Sequence, residues 1–214
     1  MRSWSDSRTC RASVIRDIVL GRLAADPDPH GLRLRGAKIT GRLDLANLTT
    51  EVSLLLRDCL LEEGVLARDA RLATFSLNGC QLEHPAEPPL AADRLTCSAL
   101  ALNDARITGH TSAGAVILPG AHIGGSLDCD GAALRNDSGP AFLAFGLEVG
   151  QGMFLSRGFT ATGAGENGAV NLAGARIGGS LDCGGAWLRN SSGSALSADG
   201  VQVGQAILLS LIHI

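Results

Sequence analysis

Two stretches of this 214-residue chain are near copies of each other. Residues 117–156 and 171–210 align without a gap. Both carry Gly-Ala-x-Ile-Gly-Gly-Ser-Leu-Asp-Cys, then Gly-Ala-x-Leu-Arg-Asn, then Val-Gly-Gln and a closing Leu-Ser. A repeat of about 54 residues, built from shorter units of about 11 to 14, constrains the fold to a solenoid in which stacking, not any single unit, buries the apolar faces.

The shorter unit recurs from Leu32 onward as alternating apolar residues, a small residue, one intervening position and another aliphatic. It reads Leu43-x-Leu45-x-x-Leu48, Phe75-x-Leu77-x-x-Cys80-x-Leu82 and Leu100-x-Leu102-x-x-Ala105-x-Ile107. In the doubled part it reads Leu127-x-Cys129-x-x-Ala132-x-Leu134 and Leu181-x-Cys183-x-x-Ala186-x-Leu188. Alternation at period two marks a short strand with one buried face. The Gly, Asn or Asp beside the small residue turns a corner, because these types tolerate unusual backbone angles. Units this short cannot hold a helix pair, so the expected fold is all-β, a right-handed parallel β-helix. Two units per coil of about 22 to 27 residues give roughly seven coils and a rod about 35 Å long.

Composition narrows the interior and the partners. With 45% hydrophobic residues, 28 Gly, 3% aromatics and no Tyr, the core is expected to be filled by Leu, Ile, Val, Ala and Cys instead of rings. A net charge of -3 with Arg spread along the chain favours neither nucleic acid nor an anionic membrane, and is too weak for a DNA mimic. Cys10, Cys59, Cys80, Cys97, Cys129 and Cys183 form no C-x-x-C pair. Cys59, Cys80, Cys129 and Cys183 fall at apolar positions of the unit, so they read as inward-packed thiols in a reducing cytoplasm. The first residues lack an apolar signal region, and the apolar run 14–23 is broken by Arg16, Asp17 and Arg22. Neither a signal peptide nor a transmembrane helix is expected, and peripheral membrane association stays open.

Residues 1–31 follow another rule. Val14, Ile15, Ile18, Val19 and Leu23 recur at helical spacing, which predicts a short capping helix within 8–23, started by Thr9 or Ser7. Asp-Pro-Asp-Pro-His-Gly at 26–31 cannot continue it and reads as a turn into the repeat domain, 32–210. Residues 84–89, 135–140, 160–168 and 189–194 read as loops on the rod.

The helix segment Arg-Thr-Cys-Arg-Ala-Ser-Val-Ile-Arg-Asp-Ile-Val-Leu-Gly, the following Leu-Arg-Leu-Arg-Gly-Ala-Lys-Ile-Thr-Gly-Arg-Leu-Asp-Leu and the repeated Gly-Gly-Ser-Leu-Asp-Cys-x-Gly-Ala carry a resemblance. Over nearly its whole length the chain resembles uncharacterised actinobacterial repeat proteins related to the pentapeptide-repeat β-helices, some of which bear the label "membrane-associated oxidoreductase". The resemblance implies a β-helix. It supplies no motif for the oxidoreductase label.

Motifs for chemistry are sparse. Gly163, Gly165 and Gly168 match G-x-G-x-x-G, yet the next residues are a strand unit where the dinucleotide fingerprint needs a helix, so no cofactor is expected. His30, His84, His110, His122 and His213 lack metal-ligand spacing, and no metal or catalytic residue is assigned. Asp128 and Asp182, about two coils apart, face outward between Leu and Cys. With Arg135, Asn136, Arg189 and Asn190 they are the surface-binding candidates. The expected function is a non-catalytic scaffold for an unknown protein partner. The alternatives are part of a larger enzyme or membrane-associated oxidoreductase whose active region lies elsewhere, and a carbohydrate-active β-helix enzyme. Leu-Ser-Leu-Ile-His-Ile at the end matches a translated sequencing adapter, so 211–214 is read as a non-native tail on a shortened chain. Such a fragment is expected to self-associate through an open C-terminal coil.

Overall fold

The computed structural model describes residues 8–23, 28 and 30–210. From Leu32 the chain winds as a parallel β-solenoid of about eight turns, seven complete and one partial. The coils enter their first wall at residues 32, 49, 71, 96, 122, 148, 176 and 202. Successive coils build three parallel sheets of 12, 8 and 7 strands, visited in that order.

Two units per coil are thus spread over three walls, and the discrepancy has a simple cause. Each unit straddles one corner, so it marks a bend and not a face. Leu127-x-Cys129-x-x-Ala132-x-Leu134 runs from the strand Leu127–Asp128 on the first wall to Ala133–Asn136 on the second. Leu118-x-x-Ala121-x-Ile123 turns from the third wall back to the first. The remaining corner carries loops stacked along one edge of the rod, and three of them start later than expected: 135–136, 160–163 and 189–190 finish the second-wall strands Ala133–Asn136, Thr160–Gly163 and Trp187–Asn190, while 84–89 holds as a loop.

Both unit-bearing corners hold a stack of residues in left-handed backbone conformation. At the first they are Gly36, Asp58, Gly79, Asp104, Gly131, Arg157 and Gly185. A Cβ on Gly79 or Gly131 would sit 2.6 Å from the Asp58 or Asp104 carboxylate of the preceding coil, so a larger residue there would displace that carboxylate. Non-glycine and glycine therefore alternate up this corner. Arg157 shows that the position needs the backbone angle, not a particular side chain.

The inward positions form vertical columns. One runs Leu54, Phe75, Leu100, Leu127, Met153, Leu181 and Ile207. Phe75, Phe142 and Phe159 are fully buried, so rings do enter this core. In the sixth coil Phe159 takes a place held by Ala132 and Ala186 in the coils beside it. Ala161 then replaces their Leu134 and Leu188, which keeps the layer volume level.

At the N-terminal end, Thr9–Arg11 pairs in parallel with Lys38–Thr40 and extends the second wall by one strand. Helix α1, Ala12–Val19, follows directly. Thr9 is therefore a strand residue instead of a cap. Arg11 stands at the cap position without a side-chain bond, and Ser7 lies outside the described residues. Ala12, Ile15 and Val19, three and four apart, bury one helical face on the first coil. Arg16 pairs with Asp44 at 3.1 Å, and the Thr50 hydroxyl donates to the Val19 carbonyl at 3.1 Å. Among the described residues no helix is long and apolar enough to cross a membrane. Much of the turn at 26–31 and all of 211–214 fall outside those residues.

Candidate functional site

Parallel stacking converts sequence spacing into columns of outward side chains. On the first wall one column reads Arg33, Leu55, Ser76, Ala101, Asp128, Phe154, Asp182, Leu208 from coil one to coil eight. None of the eight is buried. Asp128 and Asp182 are thus two coils apart as the repeat length requires, with Phe154 in register between them. Gly152 makes room for this ring: a Cβ there would lie 2.6 Å from the Phe154 Cζ, so the ring rests over the glycine along the wall.

Beside this column, at the first corner, lies a cleft of about 420 Å³ lined by Asn103, Asp104, Asp128, Asp130, Phe154 and Arg157, among others. Its floor is a chain of backbone latches. Asn78 Oδ1 accepts the Asn103 N–H at 2.9 Å, and Asn103 Oδ1 accepts the Asp130 N–H at 3.0 Å. Asp130 Oδ1 accepts the Ser156 hydroxyl at 2.6 Å. Arg157 pairs with Asp130 Oδ2 at 3.3 Å. Burial, and then the neighbouring Asp130 charge, raise the Asp128 carboxyl above its ordinary value. This cleft joins acids with an aromatic surface, and its acids are partly spent on holding coils together.

The other candidates separate from these two aspartates. Arg135 and Arg189 lie on the second wall, two coils apart with Thr162 between them. Arg135 donates to Asp137 of its own loop at 2.9 Å. Asn136 was expected to face solvent and instead is 1% exposed. Its Nδ2 donates to the Thr111 carbonyl of the preceding coil at 2.8 Å and to the Pro140 carbonyl at 2.9 Å, tying two loops together. Asn190 repeats the device with the carbonyls of Gly165, Ser192 and Ser194. Gly163 occupies the same position between them, and a Cβ there would meet Ala169 Cα at 2.8 Å. Gly165 and Gly168 adopt φ of 98° and 82° in the loop that follows. That loop leads to the strand Val170–Asn171, with no helix to receive a pyrophosphate. The glycines thus have a structural reason.

Charge ladders cover much of the remaining surface. His122 and Arg176, one coil either side of Glu148, approach its carboxylate at 3.0 and 2.9 Å. Together, with the His122 bond contributing most, they hold Glu148 below the usual carboxylate range. Arg94 grips Asp69 through two nitrogens, at 2.6 and 2.7 Å. Arg42 reaches from the first coil to the third, where it pairs with Glu87 and donates to the Pro88 carbonyl at 3.1 Å. Five of the six free thiols are buried, and burial pushes Cys97 and Cys183 up to about 12. Among the described residues no group of three or more His, Cys, Asp or Glu is placed to hold a metal ion. The Phe154 platform and the buried Asn latches escaped sequence reading. The signal for both was the 54-residue offset, which puts one coil between each repeated pair.

Comparison with known proteins finds no matching family model, curated protein or solved structure.

Proposed function

We propose that this chain is a non-catalytic interaction or scaffold module whose contact surface is the first wall. The observation that carries this reading is the in-register column on that wall, which exposes cationic, apolar and anionic side chains on a rigid parallel sheet. Such a face offers many weak contacts to a protein surface. A second contact surface belongs to the same reading. Ile207, Leu208 and Leu209 are 51%, 47% and 46% exposed on the last coil, and self-association through them would cover apolar side chains and strand edges. The free thiols support a reducing cytoplasmic setting.

The test sets ligand binding against protein binding. In thermal unfolding, NAD, FAD and divalent metal ions are expected to leave the midpoint unchanged, whereas a ligand that prefers the folded state raises it. Immobilised chain is expected to retain a partner that an Asp128→Arg variant of equal stability releases. A midpoint raised by several degrees with any of those cofactors would overturn the scaffold reading.

A further inference from the structure

The first wall is self-complementary, and we propose that it docks a second copy of this chain, antiparallel, about a two-fold axis through Ala101. The proposal goes beyond the scaffold reading and does not rest on it. A two-fold axis lying along the strands at coil four reverses the order of the coils and keeps each outward column opposite its own copy. Coil one then meets coil seven, coil two meets coil six, and coil three meets coil five.

The registered residues match under that operation. Arg33 comes opposite Asp182, Leu55 opposite Phe154, Ser76 opposite Asp128, and Ala101 opposite itself. The pairs are a cation with an anion, an aliphatic with an aromatic, a hydroxyl with a carboxylate, and a small residue where the two backbones come nearest. The adjoining column gives the same answer at its middle, with Asn78 opposite Asp130 and Asn103 opposite itself. Each pair off the axis is made twice, as an isologous interface requires. A parallel pairing of the same walls would set Arg33 against Arg33 and Asp182 against Asp182, which like charges oppose.

Within each monomer the same wall is divided by charge. Along the registered column the cation Arg33 stands in coil one and the anions Asp128 and Asp182 in coils five and seven, while at the adjoining corner Asp58 of coil two and Arg157 of coil six carry the opposite signs. Arg35 leans on Asp58 at 3.2 Å, while Asp128 makes no ion pair among the described residues. Seven coils at about 4.8 Å give a contact strip about 29 Å long. A strip one strand wide covers less than the roughly 800 Å² per partner of a standard interface. The dimer is therefore weak, concentration-dependent and sensitive to salt.

Sedimentation of an Ile207→Glu, Leu209→Glu variant removes any contribution from the apolar last coil. That protein is expected to dimerise as its concentration rises and to dissociate as salt is added. Adding either Arg33→Glu or Asp182→Lys is expected to lower the association constant by tenfold or more, with the melting temperature unchanged for Arg33→Glu and lowered for Asp182→Lys by loss of the Gly184 N–H bond to Asp182 Oδ1 at 2.8 Å. Mixing the two single-charge variants, or joining both changes in one chain, is expected to restore it. Ala101→Cys is expected to form a disulfide-linked dimer with oxidised glutathione, while Ser76→Cys stays unlinked. Monomer at every concentration, failure of the mixed variants to recover, or equal cross-linking at 76 and 101 would each overturn the proposal. If monomer persists while a foreign protein still binds the wall, the scaffold reading stands without the dimer.

Discussion

Asn136 shows how a residue that reads as surface becomes a keystone. Its Nδ2 holds two loop carbonyls from adjacent coils, and alanine would leave the Thr111 carbonyl without that donor, while the Pro140 carbonyl keeps the Ala115 N–H at 3.1 Å. A buried acceptor without a partner costs about 1–3 kcal/mol, so Asn136→Ala should lower the urea midpoint by a shift in that range. Asn190→Ala should cost less, because its side chain is only partly buried. Equal losses at the two sites would contradict the burial argument. Titration separates two carboxylates on the first wall in opposite senses. Asp128 has a folded-state pKa raised by burial and by Asp130, so its penalty to the fold is present above that pKa and vanishes below the unfolded value near about 3.9. Stability from this group rises as pH falls, and Asp128→Asn should stabilise the chain at neutral pH. Glu148, held low first by His122 and then by Arg176, contributes stability above the unfolded value near about 4.3 that is lost as pH falls through the folded pKa. Glu148→Gln should flatten the acid limb of a melting-temperature profile. Identical acid limbs in the variant and the parent would refute its role.

At the scale of elements, the divided first wall explains the glycine pairs. From the fifth coil its strand breaks into two short pieces, such as His122–Ile123 and Leu127–Asp128, where coils three and four run unbroken. Gly124, Gly150, Gly178 and Gly204 stack at the break. A Cβ on Gly150 would lie 2.2 Å from the Gly124 oxygen, and one on Gly178 2.4 Å from the Gly150 oxygen. Gly146, by contrast, has φ of 62° and open space around its missing Cβ. Gly146→Ala should therefore cost only the backbone strain of about 1–3 kcal/mol, while Gly150→Ala carries no left-handed strain but must push its Cβ off the Gly124 carbonyl and so drive two coils apart, which should cost more. Equilibrium unfolding of the two variants decides this, and the reverse order would show that the break tolerates a side chain. Alternation and the small corner residue made strands and bends legible in the sequence. The third wall was not legible, because its strands span two residues, such as Val116–Ile117 and Phe142–Leu143, and a pair cannot display a period. Corner residues such as Arg94 and Arg157 were equally hidden, since their left-handed backbone is imposed by the coils above and below.

For the whole molecule, parallel stacking means that each coil is held mainly by its neighbours, with the reach of Arg42 from coil one to Glu87 and Pro88 of coil three as an exception. Strands pair only with those of the coils next to them, so stability should be graded along the rod. Coils three to six are flanked on both sides by full coils with completely buried Leu, Val and Phe, whereas Leu196, Val201 and Val203 near the last coil are only partly buried. At the opposite end α1 gives coil one a cover through Ile15 and Val19. Ile15→Asp would place a charge in that contact and lift the cover, at a cost set by desolvating an unpaired carboxylate. Native-state hydrogen exchange should show the slowest amides in the middle coils and faster exchange from residue 196 onward. In the Ile15→Asp chain, exchange should rise steeply over residues 32–48, fall off through the second coil and leave Leu100 and Leu127 unchanged. A uniform rise along the rod would mean that the solenoid unfolds as one cooperative block, and the nearest-neighbour account would then fail.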